Sequence, residues 1–143
     1  MSTPIAFPSP EWVQAYKDAI NANPNYKTAA KDWTHGVVAM VVKAEPSVGL
    51  AEDQAMWLDV DQGVCRGTKL ISRAEAEAAA FVIEATYAMW KQVIRRELDP
   101  IKAMMQGKLK VTKGLMPTLV KYVHSNRELV ESASRVPTKF LGE

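Results

Sequence analysis

Cysteine and long apolar runs are scarce in this sequence, and each shortage excludes a class of protein. The lone Cys65 allows neither an intramolecular disulfide nor a cysteine-rich zinc site. No stretch approaches the roughly 18 apolar residues of a membrane span, and the opening residues do not resemble a secretory signal, so we expect a cytoplasmic protein. The 18 Lys and Arg are nearly balanced by 16 Asp and Glu, and no cationic cluster is interleaved with aromatics, so we expect no nucleic-acid partner.

Catalytic motifs are missing as well. The sequence has no Gly-x-Ser-x-Gly, no His-Glu-x-x-His and no glycine-rich phosphate loop. We interpret His35 and His124 as structural residues rather than general bases, and Cys65, which lies in a strand pattern, as an inert buried thiol. Glu84, on a mainly apolar strand, is either a ligand-contacting carboxylate or a solvent-facing residue. The sequence therefore predicts no enzyme, no metal site and no cofactor.

What is present is the composition of one globular domain: 48% of the 143 residues are hydrophobic and 24% are charged. We predict a single domain with an N-terminal helical extension (residues 1–32), a core (33–126) and a C-terminal helix and tail (127–143). Seven Met stand against three Phe. Because the Met side chain is flexible, it suits surfaces that accept apolar partners of different shape.

Hydrophobic periodicity predicts an α/β (α+β) fold. A first helix begins at Ser9 and Pro10, which are favoured at a helix N-cap and first turn. Alternating or continuous apolar runs predict five strands, at residues 36–42, 54–60, 64–71, 80–85 and 108–112. Helical stripes follow at residues 87–98, 100–106 and 115–123, and Ser125-Asn126 is expected to separate them from a short last helix. These elements predict a mixed sheet with helices mainly on one face.

The second half of the chain is mildly cationic. Residues 73–143 contain 12 Lys and Arg but only 8 Asp and Glu. This excess is either an ordinary solvated surface or a weak, transient attraction to an anionic membrane surface.

Residues 98–114 carry a resemblance to a known family. They read Leu98-Asp99-Pro100-Ile101-Lys102-Ala103-Met104-Met105-Gln106-Gly107-Lys108-Leu109-Lys110-Val111 and continue with Lys113-Gly114, a segment similar to the signature of the sterol carrier protein type 2 family. A weaker similarity extends from about Trp33 to Val123. The segment departs from the family at Leu115, where an acidic residue is common.

The resemblance implies a five-stranded mixed sheet covered by helices and enclosing a hydrophobic tunnel. It further implies a non-catalytic carrier of fatty acid, sterol or another apolar lipid. In the helices assigned to the tunnel, we expect eight residues to line or gate it: Trp90, Ile94, Ile101, Met104, Met105, Met116, Leu119 and Val120.

Two other functions stay open. The fold can serve as a scaffold or accessory protein of a lipid- or quinone-pathway enzyme, or act on acyl thioesters through Cys65 or His124. A homodimer is also possible. A continuous apolar cavity of roughly several hundred Å³ would distinguish a carrier from a scaffold.

Overall fold

The computed structural model describes residues 3–143 and contains a five-stranded sheet, a separate two-stranded sheet and seven helices. The strands are β1 (Ile5–Phe7), β2 (Val38–Lys43), β3 (Gln54–Asp61), β4 (Val64–Ser72), β5 (Phe81–Thr86), β6 (Lys110–Lys113) and β7 (Thr138–Phe140). The helices are α1 (Pro10–Asn21), α2 (Pro24–Ala29), α3 (Arg73–Ala76), α4 (Tyr87–Ile94), α5 (Pro100–Met105), α6 (Met116–Lys121) and α7 (Val123–Ser134), and a 3-10 turn covers Pro46–Val48.

The large sheet has the strand order β4-β3-β2-β5-β6, which confirms the predicted mixed sheet. β2 lies at its centre, antiparallel to β3 and parallel to β5. β2, β3 and β4 form an antiparallel meander. Asp59 pairs with Gly67 and Val60 with Cys65, so Arg66 is the extra residue of a bulge beside Gly67.

Burial on both faces explains the apolar sequence of β2. The inner face of the sheet carries Val38 and Val42 into the main core, beneath all the helices except α3. The outer face carries Ala39 and Val41 into a smaller cluster with Ala76, the last residue of α3. The helices therefore lie mainly on one face, as predicted, and the main core lies under them.

Helix α1 begins as its sequence predicts. The Ser9 hydroxyl accepts a hydrogen bond from the Trp12 amide at 3.0 Å, and Pro10 occupies the first turn. The Tyr16 hydroxyl donates to the carbonyl of Leu129 in α7 at 3.0 Å. Trp12 is fully buried, so α1 belongs to the hydrophobic core.

Strands β1 and β7 form a parallel pair that the sequence pattern does not predict. Each has three residues, too few for a period-two pattern to be recognised. The Trp12 indole donates to Thr138 Oγ1 at 2.9 Å, and the Tyr87 hydroxyl donates to the Phe7 carbonyl at 3.1 Å. These side chains fasten the two ends of the chain to the core.

The prediction of a break at Ser125-Asn126 is wrong. Helix α7 runs through both residues, and the preceding helix ends at Lys121, with Tyr122 between them. The Ser125 hydroxyl donates to the Tyr122 carbonyl at 2.9 Å, and the Asn126 amide donates to the Leu119 carbonyl at 2.9 Å. Ser125 thus satisfies a carbonyl of the preceding turn and Asn126 a carbonyl of α6, and neither residue ends the helix.

Helix α4 also ends earlier than its apolar stripe predicts, at Ile94 instead of residue 98. The backbone reverses at Arg96, which has a φ of 62°. Non-glycine residues seldom adopt this left-handed conformation. The turn lies beside α7, where Arg96 pairs with Glu131 and Asp99 with Arg127.

Candidate functional site

Two small apolar cavities lie in the main core. The α5 cavity, of about 30 Å³, is lined by Met40, Ile83, Trp90, Val93, Pro100, Met104, Leu109, Asn126, Leu129 and Val130. The α1 cavity, of about 20 Å³, is lined by Trp12, Tyr16, Met40, Met56, Trp90, Val93, Ile94, Val130 and Ala133. Both lie between the inner face of the sheet and helices α4 and α7. Four side chains line both cavities and separate them: Met40, Trp90, Val93 and Val130.

The expected continuous tunnel is not open in the part of the chain that the structure describes. A lipid-sized site would have a volume of roughly several hundred Å³. The structure contains the much smaller α5 and α1 cavities at this place. The physical reason is that Met40 from β2 and Trp90 from α4 lie between the two cavities and line both.

The structure brings three of the eight expected residues to the cavities: Trp90 lines both, Met104 lines the α5 cavity and Ile94 lines the α1 cavity. Two others, Ile101 and Leu119, are buried in the same core but line neither cavity. The last three, Met105, Met116 and Val120, lie at least partly at the surface.

Met104 and Met105 show why the sequence alone does not distinguish cavity-lining residues from surface residues. They are adjacent on α5, yet Met104 is 6% exposed and Met105 is 72% exposed. Helix α5 has only six residues, so its apolar stripe is too short to indicate which of two neighbouring Met side chains faces inward.

Met40, Met56 and Val130 line the cavities but are absent from the sequence-based set. Met40 and Met56 are partners on β2 and β3, where alternation predicts which residues share a face but not which face meets a helix. Val130 comes from α7, whose extent was mispredicted. The cross-strand pair of Met residues is the signal that would have found Met40 and Met56.

Trp90 is held firmly at the boundary of the two cavities. Its indole nitrogen donates to the carbonyl of Val41 at 2.8 Å, a buried hydrogen bond that joins α4 to β2. Thr86 is the N-cap of α4, and its hydroxyl accepts a hydrogen bond from the Met89 amide at 3.2 Å. The orientation of this large ring therefore depends on the sheet as well as on helix packing.

The polar groups near the cavities are neutral. Burial, with smaller contributions from Cys65 and Tyr26, raises the pKa of Tyr16 above its usual range. Its hydroxyl consequently remains a donor to Leu129 at neutral pH. The Asn126 amide donates to a backbone carbonyl rather than into the α5 cavity. The cavities thus favour apolar occupants.

Glu84 is neither solvent-facing nor part of the cavities. It lies on the outer face of the sheet, is 8% exposed and forms an ion pair with Arg73. Arg73 also lies 3.3 Å from Asp53, measured from Nη1 to Oδ2. This arrangement connects β5 to the start of α3 and to the loop before β3.

Cys65 is buried, as predicted, and its thiol donates to the Gly67 carbonyl at a sulfur–oxygen distance of 3.6 Å. Burial raises the pKa of the Cys65 thiol to about 11, despite the opposing effects of the Gly67 backbone and of Lys17. His124 is exposed on α7, and no group of three or more metal-ligating side chains occurs within residues 3–143. Neither residue has the surroundings of an activated nucleophile or a metal ligand.

We expect the native Cys65 thiol to react slowly with iodoacetamide at pH 8. Because a pKa near 11 leaves little thiolate at this pH, the reactive fraction is on the order of 100-fold lower than for an ordinary thiol, and burial lowers the rate further. Alkylation followed by mass spectrometry, with the urea-unfolded chain as the control, measures the difference. Equal rates in the native and unfolded chains would contradict this prediction.

Among the described residues, none of the helices has the length and apolar character needed to cross a bilayer. The fold and the site together define a class: a small α/β domain whose apolar interior lies between a mixed sheet and short helices. The chain belongs to the SCP-2 sterol transfer family, which it matches over residues 14–120. Membership of this family implies lipid binding or transfer in general terms.

Two solved structures are similar over nearly the whole chain. A crystal structure of sterol carrier protein 2 has a TM-score of 0.83 and 36% identity, covering 90% of this chain and 97% of that one. The solution structure of a conserved protein from Thermus thermophilus, described as possibly a sterol carrier protein, has a TM-score of 0.85 and 34% identity, covering 96% and 94%.

A third structure, of the UbiJ-SCP2 ubiquinone synthesis protein, has a TM-score of 0.52 and 16% identity, covering 82% of this chain and 86% of that one. At this identity it shows a shared fold alone. Comparison with curated protein sequences gives no match.

Proposed function

We propose that this protein is a non-catalytic cytoplasmic carrier that binds a fatty acyl chain, a sterol or a similar apolar lipid between its sheet and helices α4, α5 and α7. The observation that carries the proposal is the pair of adjoining apolar cavities under these helices. A lipid enters when the side chains between them move and the two cavities become one.

The side chains around the cavities suit this role. Met40, Met56 and Met104 have unbranched, flexible side chains, which repack around ligands of different shape more easily than β-branched residues do. Burial of ten methylenes contributes roughly 8 kcal/mol before the costs of binding and of moving these side chains. This gain corresponds to an affinity of no better than about micromolar.

The adjacent residues Met104 and Met105 provide a matched test. We expect Met104→Gln to weaken binding of a fluorescent fatty acid about tenfold, since a polar amide then lines the apolar site. Met105→Gln changes a side chain that is 72% exposed and leaves the affinity unchanged. Fluorescence titration of delipidated protein measures both, and the unfolding temperature of each variant reports on folding.

If Met104→Gln and Met105→Gln bind the fluorescent fatty acid with equal affinity, the ligand does not contact Met104. Organic-solvent extraction of the purified protein, followed by mass spectrometry, identifies any lipid that it carries. If no lipid is extracted and no probe binds, while a stable protein partner is recovered, the scaffold or accessory function replaces the carrier.

We also propose that residues 100–127 contact an anionic membrane surface. This cationic segment contains five Lys and one Arg but no Asp or Glu, and all five Lys are exposed. It also contains exposed apolar side chains, Met105 at 72%, Leu115 at 71% and Val120 at 41%. Lysines near an anionic bilayer each contribute about 1 kcal/mol, and apolar side chains enter the interface.

Vesicle sedimentation tests this contact. We expect binding to vesicles that contain phosphatidylserine, little binding to pure phosphatidylcholine, and several-fold weaker binding after Lys108→Gln/Lys110→Gln. The control variant Lys27→Gln/Lys31→Gln removes the same charge from α2 and the loop after it. Equal loss in both variants would indicate a nonspecific effect of net charge and contradict a docking role for the cationic segment.

A further inference from the structure

A cationic cleft, the lysine cleft, lies where strands β2 and β5 end and helix α4 begins. Its volume is about 290 Å³, and its lining consists of three lysines, one carboxylate and four uncharged residues: Lys43, Glu84, Ala85, Thr86, Met89, Gly107, Lys108 and Lys110. The lysine cleft shares no lining residue with the α5 cavity or the α1 cavity, so it is a separate site. Its volume is close to the lower end of the range for small-molecule sites, which suits a small ligand.

The register of the sheet brings two of the three lysines to this place. Lys43 ends β2 opposite Thr86 of the parallel strand β5, and Lys110 begins β6 opposite Glu84 of the same strand. Because Thr86 and Glu84 are two positions apart on β5, they share the outer face of the sheet. Lys43 and Lys110 therefore lie on this face, on either side of β5.

The third lysine follows a tight turn between α5 and β6. Gly107 has a φ of 75°, a left-handed conformation that glycine adopts without steric cost. The amides of Lys108 and Leu109 both donate to the Ala103 carbonyl, at 2.8 and 3.2 Å. The backbone that carries Lys108 is therefore held in place before a ligand binds, while the Lys108 side chain is exposed.

The positive charge of the lysine cleft is not neutralised within residues 3–143. None of its three lysines forms an ion pair there, and the carboxylate of Glu84, which lies opposite Lys110, pairs with Arg73 instead. The lining has three lysines against one carboxylate, so it is cationic even before Arg73 is counted. The N-terminus of the eight-residue helix α4, whose N-cap Thr86 lines the cleft, adds partial positive charge. The cleft therefore attracts an anion.

A phosphate monoester matches three lysines better than a carboxylate does. It carries a charge of about −1.5 to −2 at neutral pH and has three acceptor oxygens, so it can accept from three ammonium groups at once. A carboxylate has a single charge and two oxygens. Single-stranded nucleic acid would require aromatic rings on which bases stack, and no aromatic side chain lines the cleft.

We propose that the lysine cleft binds the phosphate group of a small phosphate monoester. Lys43, Lys108 and Lys110 donate to the phosphate oxygens, and the carbon chain of the ester lies against Met89 and Ala85. This site does not depend on the proposed carrier function, because it lies outside both apolar cavities. The phosphate belongs either to a soluble ester or to a phosphatidic acid in a membrane, and the experiment distinguishes these two sources.

Glycerol 3-phosphate is the soluble probe, and glycerate, a carboxylate with the same number of carbons, is the comparison. In an NMR titration of isotope-labelled protein at constant ionic strength, we expect glycerol 3-phosphate to shift the Gly107 and Lys108 amides. It should bind about tenfold more tightly than glycerate, and Lys43→Gln and Lys110→Gln should each weaken its binding about fivefold. Lys113→Gln is the matched control, because Lys113 is also on β6 but donates to the Glu77 carbonyl at 2.7 Å.

Sedimentation with phosphatidylcholine vesicles that contain phosphatidic acid tests the membrane source. Lys43 lies outside the cationic segment of residues 100–127, so Lys43→Gln separates the lysine cleft from the general charge of that segment. If glycerol 3-phosphate causes no shift but Lys43→Gln weakens vesicle binding several-fold more than Lys113→Gln does, the phosphate is that of a lipid.

Three results would overturn the lysine cleft as a phosphate site. Glycerate binds as tightly as glycerol 3-phosphate, neither the soluble probe nor the vesicles bind, or Lys43→Gln weakens binding of neither more than Lys113→Gln does. None of these results bears on a lipid in the apolar cavities, which the comparison of Met104→Gln with Met105→Gln tests separately.

Discussion

Replacing Trp90 by Ala will lower the free energy of unfolding by about 3–5 kcal/mol, as is typical when a buried aromatic is truncated. Trp90 is 4% exposed and lies between the α5 and α1 cavities, so its removal joins them into one larger space. The variant also loses the indole hydrogen bond to the Val41 carbonyl. Urea denaturation followed by circular dichroism measures the loss.

An apolar ligand should restore part of the stability that Trp90→Ala loses. A medium-chain fatty alcohol that fills the joined cavity stabilises the folded state, by about 2.7 kcal/mol when its concentration is 100 times its Kd. We therefore expect the alcohol to raise the Tm of Trp90→Ala more than that of the wild-type protein. An apolar cavity made by truncation commonly binds apolar molecules in this way.

Trp57 offers the control, since it is an indole of the same size on the outer face of the sheet. It is only partly buried, next to Lys69, whose Nζ lies 5.0 Å from the ring centroid. Trp57→Ala should cost less stability and should gain no more from the alcohol than the wild-type protein does. Equal rescue of both variants would show that the alcohol does not occupy the space beside Trp90.

Replacing Arg73 by Met will destabilise the protein by roughly 3 kcal/mol, because Glu84 then stays buried without its partner. The Glu84 side chain is only 10% exposed, while that of Arg73 is 41% exposed, so we expect the lower part of the range for broken buried pairs. Met preserves the apolar stem of Arg73, which separates the loss of charge from the loss of packing.

The exposed ion pair of Arg66 and Asp59 is the comparison for the buried ion pair of Arg73 and Glu84. Its side chains are 60% and 33% exposed, so Arg66→Met should cost no more than about 1 kcal/mol. The double variant Arg73→Met/Glu84→Leu should be more stable than Arg73→Met, because it removes the unpaired carboxylate. If chemical denaturation finds the double variant less stable than the single one, the buried charge is not the cause.

Much of the fold was predictable because its signals are local. Ser9 and Pro10 mark the start of α1, and the alternation within β3 and β4 marks two paired strands. β2 reads as apolar on both faces, which requires a central position covered on both sides. Where the local signals were weak, the predictions failed. β1 and β7, with three residues each, are too short to show a hydrophobic periodicity.

The site was less predictable because it depends on distant segments. Trp90 was recognised from the stripe of α4, but its neighbours Met40 and Val130 come from β2 and α7. Arg96 and Glu131 likewise form an ion pair, although they are far apart in sequence. Periodicity assigns residues to a face of one element and does not say which faces meet.

The sequence by itself determined the single α/β domain, most of its strand and helix positions, and the resemblance that the family match confirms. It did so because periodicity, helix capping and the segment 98–114 are properties of neighbouring residues. Only the tertiary structure decided that Met104 faces a cavity while Met105 faces solvent, and that Glu84 is paired with Arg73. It also replaced the expected open tunnel with two small cavities, because their volume depends on how side chains from seven separate helices and strands pack together.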